Sequence, residues 1–142
     1  MRTIFALTAM LAGCATVYTP PGTAPTPAPE SAAHTETIAI ASLLDGARAD
    51  TAAGRLANAA ASLERALRIE PRNPRLWQEL ARVRLKQGDY AQVESTAARS
   101  NSWAGSDSVL RAENWRLIAH SREARGDAEG ARAALEAAER QR

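Results

Sequence analysis

Asn73-Pro74-Arg75-Leu76-Trp77-Gln78-Glu79-Leu80-Ala81 opens a stretch that closes on Lys86-Gln87-Gly88-Asp89-Tyr90. Asn73 is a helix N-capping residue, and Pro74 suits the first helical position, where no backbone N–H is required. Gly88 stands where the helix must stop and reverse, a place suited to left-handed φ. Asp89 is then placed to cap a following helix. The stretch predicts a helix over 74–87, a tight turn and a second helix from residue 90.

Its landmarks recur along the chain. Leu43 and Trp77 are 34 residues apart, as are Gly54 and Gly88, and Ala59 and Val93. Trp77 to Trp115 is 38 residues, and so is Gly88 to Gly126. Three copies of one helix-turn-helix unit fit this spacing, with four extra residues between the second and third. Pro71 ends the second helix of unit one, and Asp127 caps the second helix of unit three. From Thr35 onward the composition is Ala, Leu, Arg and Glu with helical periodicity. The expected helices are 36–53, 55–69, 74–87, 90–100, 108–125 and 128–140, an all-α solenoid over residues 35–142 with units at about 40–73, 74–107 and 112–142.

A 34-residue period with Trp, Leu, a small residue, Gly, Tyr, Ala, a bulky residue, Ala and Pro at fixed offsets resembles the tetratricopeptide repeat. Unit two carries Trp77, Leu80, Ala81 and the Gly88-Asp89-Tyr90 turn. Unit one carries Ala47, Gly54, Ala59, Leu63, Ala66, Leu67 and Pro71. Unit three carries Trp115, Ile118, Ala119, Gly126, Ala131, Leu135 and Ala138. Three departures stand out. Gly46 replaces a large apolar residue, which is expected to loosen the first helix pair. Asp50, Arg84 and Arg122 occupy the usual aromatic position, so that layer is polar. No capping helix follows unit three, so the last helix serves as its own cap or presents a partner or dimer surface.

The resemblance implies a concave groove, lined by the first helix of each unit, that holds a segment of another protein. Its groove-facing offsets fall on Ala41, Leu44, Arg48, Thr51 and Ala52, on Arg75, Gln78, Arg82, Leu85 and Lys86, and on Glu113, Arg116, His120, Glu123 and Ala124. Arg48, Arg75, Gln78, Arg82, Lys86, Arg116 and His120 are therefore the candidate binding residues. A planar guanidinium matches a carboxylate, so the expected ligand is an acidic segment or a C-terminal carboxylate. The alternative is a solvated basic face balanced by Glu113 and Glu123.

The other informative stretch is Leu11-Ala12-Gly13-Cys14, which follows Arg2 and the apolar run Ile4–Ala12. Charge, run length and small residues fit a secretory signal, and the run is shorter than the ~20 residues that span a bilayer. It resembles the lipobox of bacterial lipoproteins. The resemblance implies cleavage before Cys14 and lipidation of its thiol and new amine, with residues 1–13 removed. An ordinary signal peptide, or an uncleaved N-terminus with an inert cysteine, is the alternative. Ala15 rather than Asp after the cysteine favours the outer membrane, with the domain facing the periplasm. Residues 14–34 are rich in Pro, Thr and Ala, which reads as an extended tether, roughly 60 Å at ~3.1 Å per residue.

Composition narrows the function. Without Arg2 the chain has 17 basic and 16 acidic residues, which gives no electrostatic case for nucleic acid despite a pI of 9.2. With the only cysteine lipidated there is no disulfide, and stability must come from packing. The histidines, His34 and His120, lack partners at metal-ligand spacing, and there is no Gly-rich phosphate loop. The chain reads as a non-enzyme without cofactor or metal, a lipid-anchored adaptor or assembly factor. Lipoproteins of this architecture include pilotins, members of the β-barrel assembly machinery and adaptors for cell-wall hydrolases. A regulator of a cell-wall enzyme, or a structural lipoprotein that self-associates through its last helix, is the alternative.

The extra residues, Ser100 to Ser108, are expected to lengthen the loop and to add about a turn (~3.6 residues) to the next helix. Trp103 in this stretch either tucks against the second helix or stands out as an interface anchor. Trp77 and Trp115 hold the repeat's own structural position and read as core.

Overall fold

A computed structural model describes residues 29–141, so the lipobox, Cys14 and most of the tether lie outside the described residues. The helices are α1 (Pro29–Ala52), α2 (Leu56–Ile69), α3 (Pro74–Gln87), α4 (Tyr90–Trp103), α5 (Ser108–Ala124) and α6 (Ala128–Glu139). Each packs against its chain neighbour, and α5 also touches α3. The short turns make successive helices antiparallel. The starts of α1, α3 and α5 therefore share one edge with the ends of α2, α4 and α6.

Three glycines set the reversals. Gly54, Gly88 and Gly126 have φ of 74°, 77° and 82°. The residue after each glycine donates its N–H back to the carbonyl five residues earlier: Arg55 to Asp50 at 2.8 Å, Asp89 to Arg84 at 3.0 Å and Asp127 to Arg122 at 2.9 Å. This is the Schellman closure, which satisfies carbonyls that the helix end would otherwise leave bare. At the other ends, Asn73 Oδ1 accepts from the N–H groups of Arg75 and Leu76 at 3.0 and 3.3 Å. Asp127 Oδ1 accepts from the Gly130 N–H at 2.8 Å. Asp89 does not follow the expectation: its side chain makes no capping bond.

The expected boundaries need three corrections. α1 begins at Pro29, so Pro29–His34 is helix rather than tether, with proline at its first position as helix geometry permits. α4 runs on to Trp103. The α2–α3 and α4–α5 connections each comprise four residues, 70–73 and 104–107, so the extra turn does not lengthen the loop. Three of the four extra residues lie inside α5, which has 17 residues where α3 has 14, and the fourth falls in the turn that follows it, 125–127 against 88–89.

The core falls into two clusters. Between units one and two, Leu63, Leu67, Leu76, Leu80 and Val83 pack with Ile40, Ala47 and Ala59. The second cluster, Ala81, Ala97, Ile118, Ala119 and Ala134 with Trp115 and Leu117 beside it, is mostly alanine. Small residues let α3, α4 and α5 approach closely but bury little apolar area per residue. Gly46 lies on an exposed part of α1. A Cβ built on it meets nothing within 4 Å, because no earlier unit covers that face.

The polar layer is held by charge. Asp50 pairs with Arg55 at 2.7 Å, Arg84 with Glu64 at 2.6 Å, and Arg122 with Glu94. The hydrogen bond to Glu94 raises Arg122 above its ordinary pKa, against a smaller opposing effect of burial. The residue equivalent to Glu64 in unit two is Ala98. The true partner, Glu94, lies four residues earlier on α4. That is the displacement an extra turn in antiparallel α5 requires.

Candidate functional site

The first helices of units one and two form a concavity of about 340 Å³. Its lining joins apolar Leu44, Ala47, Leu63 and Val83 to Arg48, Arg82, Lys86 and Glu79. Arg48 comes from α1, and Arg82 and Lys86 from successive turns of α3, so all three cations reach one hollow. Their engagements differ. Arg48 lies 3.5 Å from Asp45, a fully solvated pair with side chains 61% and 76% exposed. Arg82 is 2.6 Å from Glu113 of α5. Lys86 makes no ion pair among the described residues. Glu79, which the repeat offsets did not single out, brings a carboxylate into the same lining.

The remaining candidates are not gathered there. Gln78 is 7% exposed and does not face the groove. Its Nε2 donates to Leu110 O at 3.3 Å and to Asn114 Oδ1 at 3.1 Å. Arg75 stands at the start of α3, 3.4 Å from Asp107, on the edge rather than in the hollow. Arg116 lines a small cleft with Ser108, Val109, Ala112 and Gln141, and lies 4.0 Å from Glu139. His120 lines a separate hollow between α5 and α6 with Glu123, Arg132 and Leu135. That lining places an imidazole near a carboxylate and a guanidinium and contains no hydroxyl or thiol. The seven candidates thus divide among several surfaces. α5 covers the unit-two offsets with Asn114 and Glu113.

Asn114 is the residue the sequence concealed. It is fully buried, and its Nδ2 donates to Ser100 Oγ at 2.8 Å and Asn101 Oδ1 at 2.9 Å. Ser100 Oγ in turn donates to Pro74 O at 2.7 Å. Gln78 links this chain to Arg82, whose guanidinium donates to Gln78 Oε1 at 3.4 Å. A continuous polar path therefore runs from the α3–α4–α5 junction to the groove arginine. Among the described residues, no buried side-chain polar atom lacks a partner.

Trp103 is 39% exposed at the end of α4, with the Arg72 guanidinium 5.2 Å from its ring centre. Trp77 is half-buried rather than core. Its Nε1 donates to Pro71 O at 2.8 Å, and Arg99 lies over its ring at 5.7 Å. Leu76, its neighbour, takes the buried position at 1% exposure. On α6, Leu135 is 47% exposed. Among the described residues no helix is long and apolar enough to cross a membrane, and no cluster of ligating side chains could hold a metal ion.

Comparison with known proteins agrees with this architecture. The tetratricopeptide repeat family matches residues 50–112. No protein among the curated sequences matches the chain. The globular C-terminal domain of P. aeruginosa LpoP, a solved structure, is 46% identical, with a TM-score of 0.69; the match covers 70% of this chain and 94% of that one. The chain belongs to the tetratricopeptide repeat family, with a globular domain of the kind found in LpoP.

Proposed function

We propose that this protein is an envelope lipoprotein, tethered through Cys14 to the periplasmic face of the outer membrane, whose repeat domain holds an acidic segment or C-terminal carboxylate of a protein partner. Tetratricopeptide repeats are protein-interaction modules, and the family match together with the likeness to the globular C-terminal domain of LpoP supports that role. The observation that carries the finer reading is the hollow between α1 and α3. Three cations line an apolar floor, and Lys86 among them makes no ion pair among the described residues. A carboxylate arriving there meets Lys86 and the weak, solvated Arg48–Asp45 pair, with Glu79 the opposing charge in the lining. Arg82 is already matched by Glu113, so it supports the site's shape more than its vacant charge. The Leu44, Ala47, Leu63 and Val83 floor suits an aliphatic side chain next to the carboxylate.

Fluorescence anisotropy with short acidic peptides tests this, using a free C-terminus in one series and an amidated one in the other. Binding is expected to weaken at least tenfold in Lys86→Glu and to fall with added salt, as solvated ion pairs do. Peptide affinity that is the same in wild type, Lys86→Glu and Arg48→Glu would rule the hollow out. Loss of membrane association in Cys14→Ala cells tests the anchor separately. A captured partner that synthesises or cuts the cell wall would make the adaptor a regulator of that enzyme.

A further inference from the structure

Most arginines of the domain are neutralised in place. Arg48, Arg55, Arg75, Arg82, Arg84, Arg116, Arg122, Arg125 and Arg140 all have carboxylate partners. Six have none among the described residues. Arg111 donates instead to Gln141 and to Gly105 O, and Arg132 stands apart on α6. The other four are Arg65, Arg68, Arg72 and Arg99. These four are exposed and lie together. Arg65 and Arg68 share a face of α2 one turn apart, Arg68 borders Trp77 in a shallow groove, Arg99 covers Trp77 and Arg72 covers Trp103. Across the 104–107 loop, Val109 is 68% exposed at the start of α5. Two acidic groups on this rim are engaged, Asp107 with Arg75 and Glu70 with the Asn73 amide at 2.7 Å, while Glu36 is exposed on the first part of α1. At the opposite edge Arg55 and Arg125 are both ion-paired.

The chain enters the domain on the side of this edge, since α1, antiparallel to α2 and ten residues longer, begins beyond the end of α2. Arginines stacked on tryptophans, with an exposed apolar tip, match the headgroup layer of a bilayer: guanidinium groups meet phosphates, and indoles sit at the interface. We propose that this edge docks the domain onto the anionic phospholipid surface to which Cys14 tethers it. Four arginines give weak binding to a free protein, but a short tether raises the local concentration enough to make docking effective. Docked edge-down, the solenoid leaves the hollow between α1 and α3 open to the side.

This inference rests on the anchored reading, so the test supplies the anchor chemically. The chain from Cys14 onward has one thiol, which couples to maleimide-bearing lipid in vesicles whether or not the cell acylates it. Vesicles of phosphatidylglycerol and of phosphatidylcholine, each doped with a headgroup-nitroxide lipid, report tryptophan contact by quenching. Quenching is expected on phosphatidylglycerol, with little on phosphatidylcholine or in about 0.5 M salt. Trp103→Phe is expected to lose the larger part of it. For the uncoupled chain, Arg72→Glu with Arg99→Glu, and separately Arg65→Glu with Arg68→Glu, are expected to lower the vesicle partition by roughly tenfold. Quenching that is absent on phosphatidylglycerol, or equal on both lipids, would overturn the proposal. So would partition unchanged in both charge-reversed pairs, each checked for native helicity.

Discussion

Asn114 and Gly46 show how a single side chain reads differently before and after folding. In sequence Asn114 is a polar residue beside Trp115, with nothing to separate it from a surface position. Its role depends on Ser100, Asn101 and Gln78, which only the packed helices bring within reach. Asn114→Ala removes the buried bonds to Gln78, Ser100 and Asn101, leaving Gln78 only Leu110 O and Ser100 only Pro74 O, and each such bond contributes about 0.5–1.5 kcal/mol. Urea unfolding is expected to show a loss of about 2–3 kcal/mol, whereas Asn58→Ala, on α2 and exposed, should change little. Gly46 is the reverse case. It interrupts a repeat pattern, yet its neighbourhood is empty. Gly46→Ala removes the entropic cost of a mid-helix glycine and is expected to stabilise by about 0.5–1 kcal/mol. A loss of stability would mean that the site is crowded after all.

At the scale of the helices, the period, the glycine turns and the Asn73-Pro74 start were legible because each is a local demand of the backbone. α3 falls where the spacing places it. What was not legible depended on neighbours. The four extra residues could sit in a loop or a helix by spacing alone. The packing of α5 on α4 decides for the helix, and moves the Arg122 partner back a turn to Glu94. A double-mutant cycle on Arg122→Leu and Glu94→Ala is expected to give a coupling of about 0.5–1 kcal/mol, the range of partly exposed pairs. Arg122 carries a raised pKa, so its share is present through the neutral range and lost only at strongly alkaline pH. The start of α1 was hidden by its prolines, since a proline that ends a helix elsewhere can begin one. Residues 33–38 are exposed, while Ile40 and Ala47 are buried. Amide exchange is expected to be fast before residue 39 and slow after residue 47. Uniform protection along α1 would contradict this.

For the whole molecule, the residues at the family offsets do not share one surface. Arg48, Arg82 and Lys86 line one hollow. Gln78 turns inward, Arg75 stands on the edge, and Arg116 and His120 belong to other hollows, because α5 packs directly over part of α3. The uncompensated edge had no sequence signal, since seventeen arginines spread along the chain give no hint of which ones find carboxylates. Two surfaces of one small solenoid carry the proposals, the hollow between α1 and α3 and the edge that bears Trp103. The most direct test of the central claim is site-specific photocrosslinking in the cell envelope, with the photoreactive residue at Thr51 on the wall of the hollow. Crosslinks to an acidic segment or C-terminus of one partner are expected, abolished by Arg48→Glu with Lys86→Glu in a protein that still folds. Crosslinks that persist unchanged in that variant, or that map to segments without carboxylates, would contradict it.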